Sequence, residues 1–312
     1  MLKLLQLRIT KQLQMVVPFI ALVLVIVLFT VFAPNRFFTL KNFGLLLQQS
    51  AITMIAGFGM TFVIVQGSID LSIGSVLALS GVIGASVANH FGWLGLPVSI
   101  LVGLCCGFFN GVAFAFLQIP SFMATLAMML IARGLTIYFT GGFPVYLSPS
   151  YQYVGRWPWI IIIAFLVFIF SWIFYNYTKF GRYSQAIGCD ERVTELSGVK
   201  KKLYKLWVLA LSGAFAGFSG FMMAARVGAG SATTGVGFEL EVIGCVVLGG
   251  TAISGGSGRI EGAIVGALII SILGNGLIIL GVSSDIQMII KGLILIIAIF
   301  LSLDREKIGI IK

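Results

Sequence analysis

The sequence has 312 residues, 59% of them apolar and only 10% charged, where soluble domains carry roughly 45–50% and about 25%. So much apolar surface with so little charge to cover it excludes a soluble globular fold and makes lipid the solvent. The net charge of +10, from 20 Lys and Arg against 10 Asp and Glu, is read as the cationic bias of cytoplasmic loops, and no nucleic-acid partner is expected.

A basic N-terminus (Lys3, Arg8, Lys11) precedes the apolar run 15–34, which exceeds a signal-peptide core and reads as a retained first span. Further apolar windows place spans near 47–66, 71–89, 92–117, 121–140, 157–177, 206–225, 241–255, 262–281 and 286–303. At about 20 residues per span, ten helices leave room for short loops and one longer segment. The expected fold is all-α, a polytopic membrane protein of about ten transmembrane helices. With both termini on one side, that side collects fourteen Lys and Arg against four (Arg36, Lys41, Arg156, Arg226) on the other. The bias places both termini in the cytoplasm.

Small residues recur every four positions: Gly103, Gly107 and Gly111; Gly213 and Gly217; Gly262 and Gly266. This spacing lets helix backbones approach closely inside a membrane. The four cysteines show no metal or disulfide spacing.

Three short matches recur in the same order in each half. Asp70-Leu71-Ser72-Ile73-Gly74 resembles Glu239-Leu240-Glu241-Val242-Ile243-Gly244, Asn110-Gly111 answers Asn275-Gly276, and Arg133-Gly134-Leu135 answers Lys291-Gly292-Leu293. The match relates spans 3–5 to spans 8–10, and a shift of five spans reverses orientation. The chain is therefore expected to be a five-plus-five inverted repeat, a device of transporters. Asp70 and Glu239 then start spans on opposite membrane faces, either as helix-terminus partners or as parts of inner and outer gates. Asn110, Asn275, Arg133 and Lys291 complete the candidates for a gate or translocation pathway; the two cations either snorkel or face a cavity holding a polar substrate.

Residues 178–205 hold ten of the thirty charges, seven basic and three acidic. Within them, 190–199 has an acidic start, apolar Val193 and Leu196, and a glycine stop at Gly198, the pattern of a short amphipathic cytoplasmic helix. Asp190, Glu191, Arg192, Glu195 and Gly198 are its candidate docking residues.

No catalytic or metal constellation is found. A phosphate loop ending in Gly-Lys-[Ser/Thr] is absent, and the glycine-rich run 249–258 lacks its lysine. The single His90 excludes paired-histidine zinc sites. Gly217-Phe218-Ser219-Gly220 matches an intramembrane-protease pattern, but no histidine follows it. No carboxylate lies between Asp70 and Asp190, which argues against a proton relay.

Several ordered motifs carry a resemblance: Gly67-Ser68-Ile69-Asp70-Leu71-Ser72-Ile73-Gly74-Ser75, the run 125–134, Phe180-Gly181-Arg182-Tyr183, Leu196-Ser197-Gly198, Gly237-Phe238-Glu239-Leu240, Val247-Leu248-Gly249-Gly250-Thr251 and Leu280-Gly281-Val282-Ser283-Ser284. Together, from about residue 36 to about residue 303, the chain resembles the membrane permease of bacterial ATP-binding-cassette (ABC) sugar importers. The resemblance implies a single permease domain over 1–312 in the bacterial inner membrane, paired with a second permease copy. It implies a cytoplasmic ABC ATPase, which binds ATP and magnesium, so that this chain is not itself an enzyme and holds no cofactor. It also implies an extracytoplasmic sugar-binding protein, with Arg156 and Arg226 as candidate docking charges, and makes the segment from Glu191 to Gly198 the coupling helix. Arg192 and Val193 replace the two alanines that commonly follow the glutamate in the family. The expected cargo is a monosaccharide, ribose or a related aldose; autoinducer-2, nucleosides and an ion-coupled mode of transport are the alternatives.

Overall fold

The structure, a computed structural model, describes the backbone of residues 2–302 and the side chains of residues 16–300. The basic residues expected to orient the termini (Lys3, Arg8, Lys11, Arg305, Lys307, Lys312) lie outside the described side chains. The helices are α1 (Leu2–Phe32), α2 (Pro34–Phe37), α3 (Leu40–Val65), α4 (Ile73–Phe91), α5 (Gly95–Ala115), α6 (Ser121–Thr140), α7 (Pro149–Gln152), α8 (Trp159–Tyr177), α9 (Lys179–Cys189), α10 (Glu191–Leu196), α11 (Lys201–Val227), α12 (Phe238–Leu248), α13 (Ile260–Ile279) and α14 (Ser284–Ser302). Two-residue strands β1 (Val145–Tyr146) and β2 (Ala229–Gly230) pair antiparallel.

The architecture is that of an all-α polytopic membrane protein. Among the described residues, six stretches are long and apolar enough to cross a membrane; one of them, Ile73–Ala115, is folded back at the short turn Gly92–Leu94 into α4 and α5. The shorter apolar stretch Val16–Phe32, α12 and α14 bring the set to the ten expected segments.

Two expected spans are corrected. Residues 241–255 do not form a full span: α12 has 11 residues, about 16 Å of helix against a hydrocarbon core of about 30 Å. The glycines after Leu248 stop it, with Gly250 at φ +89, a conformation costly for other residues. Residues 71–89 become α4 from Ile73 onward, because 66–72 form a non-helical break. The charged segment also differs from a loop with one short helix: it contains α9 and α10, and Lys201–Lys205 already belong to α11.

The two halves exchange packing partners. Long helix α11 packs against α4 and α5 of the first half, and long helix α3 packs against α12 and α13 of the second. These central helices are 83% (α3) and 78% (α11) buried over their apolar windows, against 22% for the outer α6 and α8. The glycine spacing supplies the contacts. Gly103 faces the backbone of Gly213 and Gly217, Gly107 that of Leu209 and Ala210, and Gly262 that of Gly249. Apolar burial gives no drive for association in lipid, so this backbone-to-backbone approach is what holds the helices together.

Candidate functional site

The break between α3 and α4 is anchored by side chains rather than by helix. Backbone N–H groups of Ile69 and Leu71 donate to the hydroxyls of Ser121 (3.3 Å) and Thr125 (3.1 Å) on α6. Asp70, 1% exposed, forms the centre. Its Oδ1 accepts from the Ser72 amide (2.9 Å) and hydroxyl (2.6 Å), and its Oδ2 accepts from Ser212 of α11 (2.8 Å). Asn110 of α5 donates to Ser72 Oγ at 3.0 Å. One carboxylate thus ties the break to helices of both halves, and its lone pairs are taken up by donors, as burial demands.

The second break, 228–237, follows α11. It starts at the β1–β2 pairing and folds back inward, so that Gly74 of α4 packs against Gly235 and the Glu239 carboxylate. Arg133, half-way along α6, donates to the carbonyls of Ala232 and Thr234 in this break. Glu239 lies within electrostatic reach of Arg133, and its Oε2 is buried with no hydrogen-bond partner.

A third cluster joins the charged segment to the first break. The Gly256 amide donates to the Val65 carbonyl at 2.8 Å, Cys189 Sγ lies 3.5 Å from the Gly256 carbonyl, and the Gly188 α-carbon fits against both Val65 and Gly256. Directly after it, Asp190 caps α10, accepting from the Arg192 and Val193 amides at 2.9 Å. Glu191 bonds Lys205 at 2.7 Å and Lys201 at 3.1 Å, and Glu195 bonds Lys201 at 2.6 Å. Partial burial pushes the Glu191 carboxyl up, but the hydrogen bonds from Lys205 and Lys201 outweigh it and hold the group below its ordinary value. Val193 and Leu196 stay 58% and 81% exposed.

Residues 42–299 match the family described as branched-chain amino acid transport system / permease component. The chain is 39% identical over 306 residues to the ribose import permease protein of Escherichia coli (strain K12), covering 92% of each. It is 38% identical over 300 residues to that of Bacillus subtilis (strain 168), covering 93% of this chain and 92% of the other. With the xylose transport system permease protein of Escherichia coli (strain K12) it shares 31% identity over 360 residues, covering 93% of this chain and 91% of the other. No solved structure matches. The chain belongs to this permease family.

Within the permease, Asp70 and Asn110 both bond to Ser72. Asp70 does not cap α4, however: the cap position is Ser72. Nor are Asp70 and Glu239 separated by the membrane's thickness, because the two breaks meet at the first turn of α4. Asn275 lies elsewhere, donating to Asn42 Oδ1 at 2.9 Å in a clasp between α13 and α3. Lys291 is not a free cation but pairs with Glu241 of α12 at 2.5 Å. Arg156 donates to Gln152 at 2.8 Å, and its neighbour Gly155 packs on the Arg226 backbone, so the two arginines sit at one place; Arg226 itself is half-buried. Gly198 turns the chain between α10 and α11 at φ +82.

Residues that the sequence reading missed are Ser72, Ser212, Ser121, Thr125 and Gln66. Gln66, 4% exposed, has both amide atoms buried without a partner among the described residues.

Proposed function

We propose that this permease carries a monosaccharide, ribose or a related aldose, into the bacterial cytoplasm as the membrane subunit of an ABC importer. The observation that carries this reading is the 39% identity to a ribose import permease over 92% of both chains. The chain acts as one permease domain, with both termini cytoplasmic and a second copy beside it. ATP and magnesium bind to a cytoplasmic ATPase partner, and a sugar-binding protein delivers the cargo near Arg156 and Arg226 on the outer face.

Helix α10 is the coupling helix. Its exposed Val193 and Leu196 offer the apolar contact, flanked by Arg192 and Glu195, while Glu191 struts it to α11. Movement of α10 reaches the Gly188–Val65–Gly256 junction and from there the break that Asp70 holds. Binding and release of ATP then favour alternate arrangements of the two breaks. Arg133 locks the outer break and the Asp70 network the inner one.

The test is uptake into proteoliposomes holding the permease, its ATPase and its binding protein. Ribose accumulation that requires ATP is expected, with Leu196→Asp abolishing both uptake and ATPase retention. Accumulation driven by an ion gradient without the ATPase would sink the proposal.

A further inference from the structure

We propose that the groove between α5, α8, α9 and α11 is a binding site for one anionic phospholipid, its acyl chain in the groove and its headgroup at Lys200. The groove encloses about 630 Å³, within the roughly 300–1,000 Å³ of small-molecule sites. Its walls are apolar, from Leu104, Phe174, Phe180 and Trp207 down to Leu211 and Ala214. A second apolar cavity of about 320 Å³ continues it, sharing Leu211 and Ala214 and ending at Phe218. The space is therefore elongated along α11. From Lys200 to Ala214 is about 21 Å of helix at 1.5 Å per residue, enough for a chain spanning one leaflet, about half of a 30 Å core.

The mouth selects the headgroup. Lys200, with Ser197, Gly198 and Val199, forms its rim. Lys201 and Lys205 are taken by Glu191 and Glu195, whereas Lys200 is exposed and makes no ion pair among the described residues. Tyr183 and Tyr204, edge to face at 5.2 Å, stand beside it, as aromatic residues do at a membrane interface. An unpaired cation at the boundary of membrane-spanning helices is complementary to an anionic headgroup. The groove's rim is also the link between α10 and α11, so an occupant there fixes the base of α10. The site rests on the placement of the spans and not on the choice of sugar.

The experiment is native mass spectrometry of the purified permease, titrated with phosphatidylglycerol or phosphatidylcholine. One phosphatidylglycerol per chain is expected, retained about tenfold more strongly than phosphatidylcholine. Lys200→Gln should erase that preference while leaving phosphatidylcholine binding, and Ala214→Trp should lower retention of both at an unchanged unfolding temperature. Should Ala214→Trp fail to fold, Leu203→Glu at the exposed rim replaces it with the same expected loss. Equal retention of the two lipids by the unaltered chain, or retention unaffected by these substitutions, overturns the site. So does efficient disulfide cross-linking of Ala214→Cys between two copies, which would make the groove an interface.

Discussion

Asp70 receives three hydrogen bonds, two from Ser72 and one from Ser212, so single substitutions should separate their contributions. Interhelical hydrogen bonds in membranes average about 0.6 kcal/mol and reach about 1.7, while leaving a buried group unpaired costs about 1–3 kcal/mol. Ser212→Ala should therefore lower unfolding stability by about 1 kcal/mol, and Asp70→Ala by about 3, since it strands all three donors. A smaller effect for Asp70→Ala than for Ser212→Ala in denaturation experiments would refute the network. Asp70 stood out in the sequence as the only acid before Asp190, and Asn110 through its match with Asn275. Ser72 and Ser212 did not, because hydroxyls are common in membrane helices and only the packing of α11 on α4 and α5 selects these two.

The Glu191 carboxyl belongs to the same scale. A group held below its ordinary value of 4.5 stabilises the docked form above that pH and loses its contribution as pH falls through the lowered value. Amide protection of α10 should thus stay constant from neutral pH down to about 4.5 and fall below it. Glu191→Gln should have lower protection at neutral pH and remove this step; an unchanged step would show that another group holds α10. The sequence marked Glu191 as a docking residue, but only the fold shows its charge turned back on Lys201 and Lys205, leaving Val193 and Leu196 facing outward.

Among the elements, the glycines separate into those with a neighbour and those without. At Gly107 an added Cβ would strike the Leu209 carbonyl and the Ala210 α-carbon, both backbone, whereas Gly134 has nothing within 4 Å. Gly107→Val should push α5 from α11 and cost several kcal/mol, on the scale of overpacked cores, about 1–3 or more. Gly134→Ala should leave stability unchanged or raise it by up to about 1 kcal/mol through helix propensity. Thermal unfolding in detergent distinguishes them, and equal effects would contradict the α5–α11 contact. The four-residue spacing made this packing legible. The short α12 was not, because an apolar window averages over Leu248 and the glycines beyond it, and the turn conformation of Gly250 carries no hydrophobic signal.

Over the whole molecule, the three non-helical places that hydropathy cannot see are the ones that meet. The order of the motifs pointed to an inverted repeat, but not to the meeting of the two breaks, since loops of 66–72 and 228–237 look alike in sequence whether they stay apart or pack together. Their meeting gives the permease a mechanical path: α10 leads to Gly188, Gly188 abuts Val65 and Gly256, and Val65 ends the helix that precedes Asp70. If movement of α10 is carried there, Gly188→Ala should act differently from a docking defect. The added methyl meets the Val65 carbonyl and the Gly256 amide, so the junction must open, while the exposed face of α10 is untouched. The expected outcome is normal membrane expression and normal retention of the ATPase in a pull-down, with sugar uptake reduced at least tenfold. Loss of ATPase retention would place the defect in α10 itself, and uptake at the unaltered rate would exclude the junction from the path.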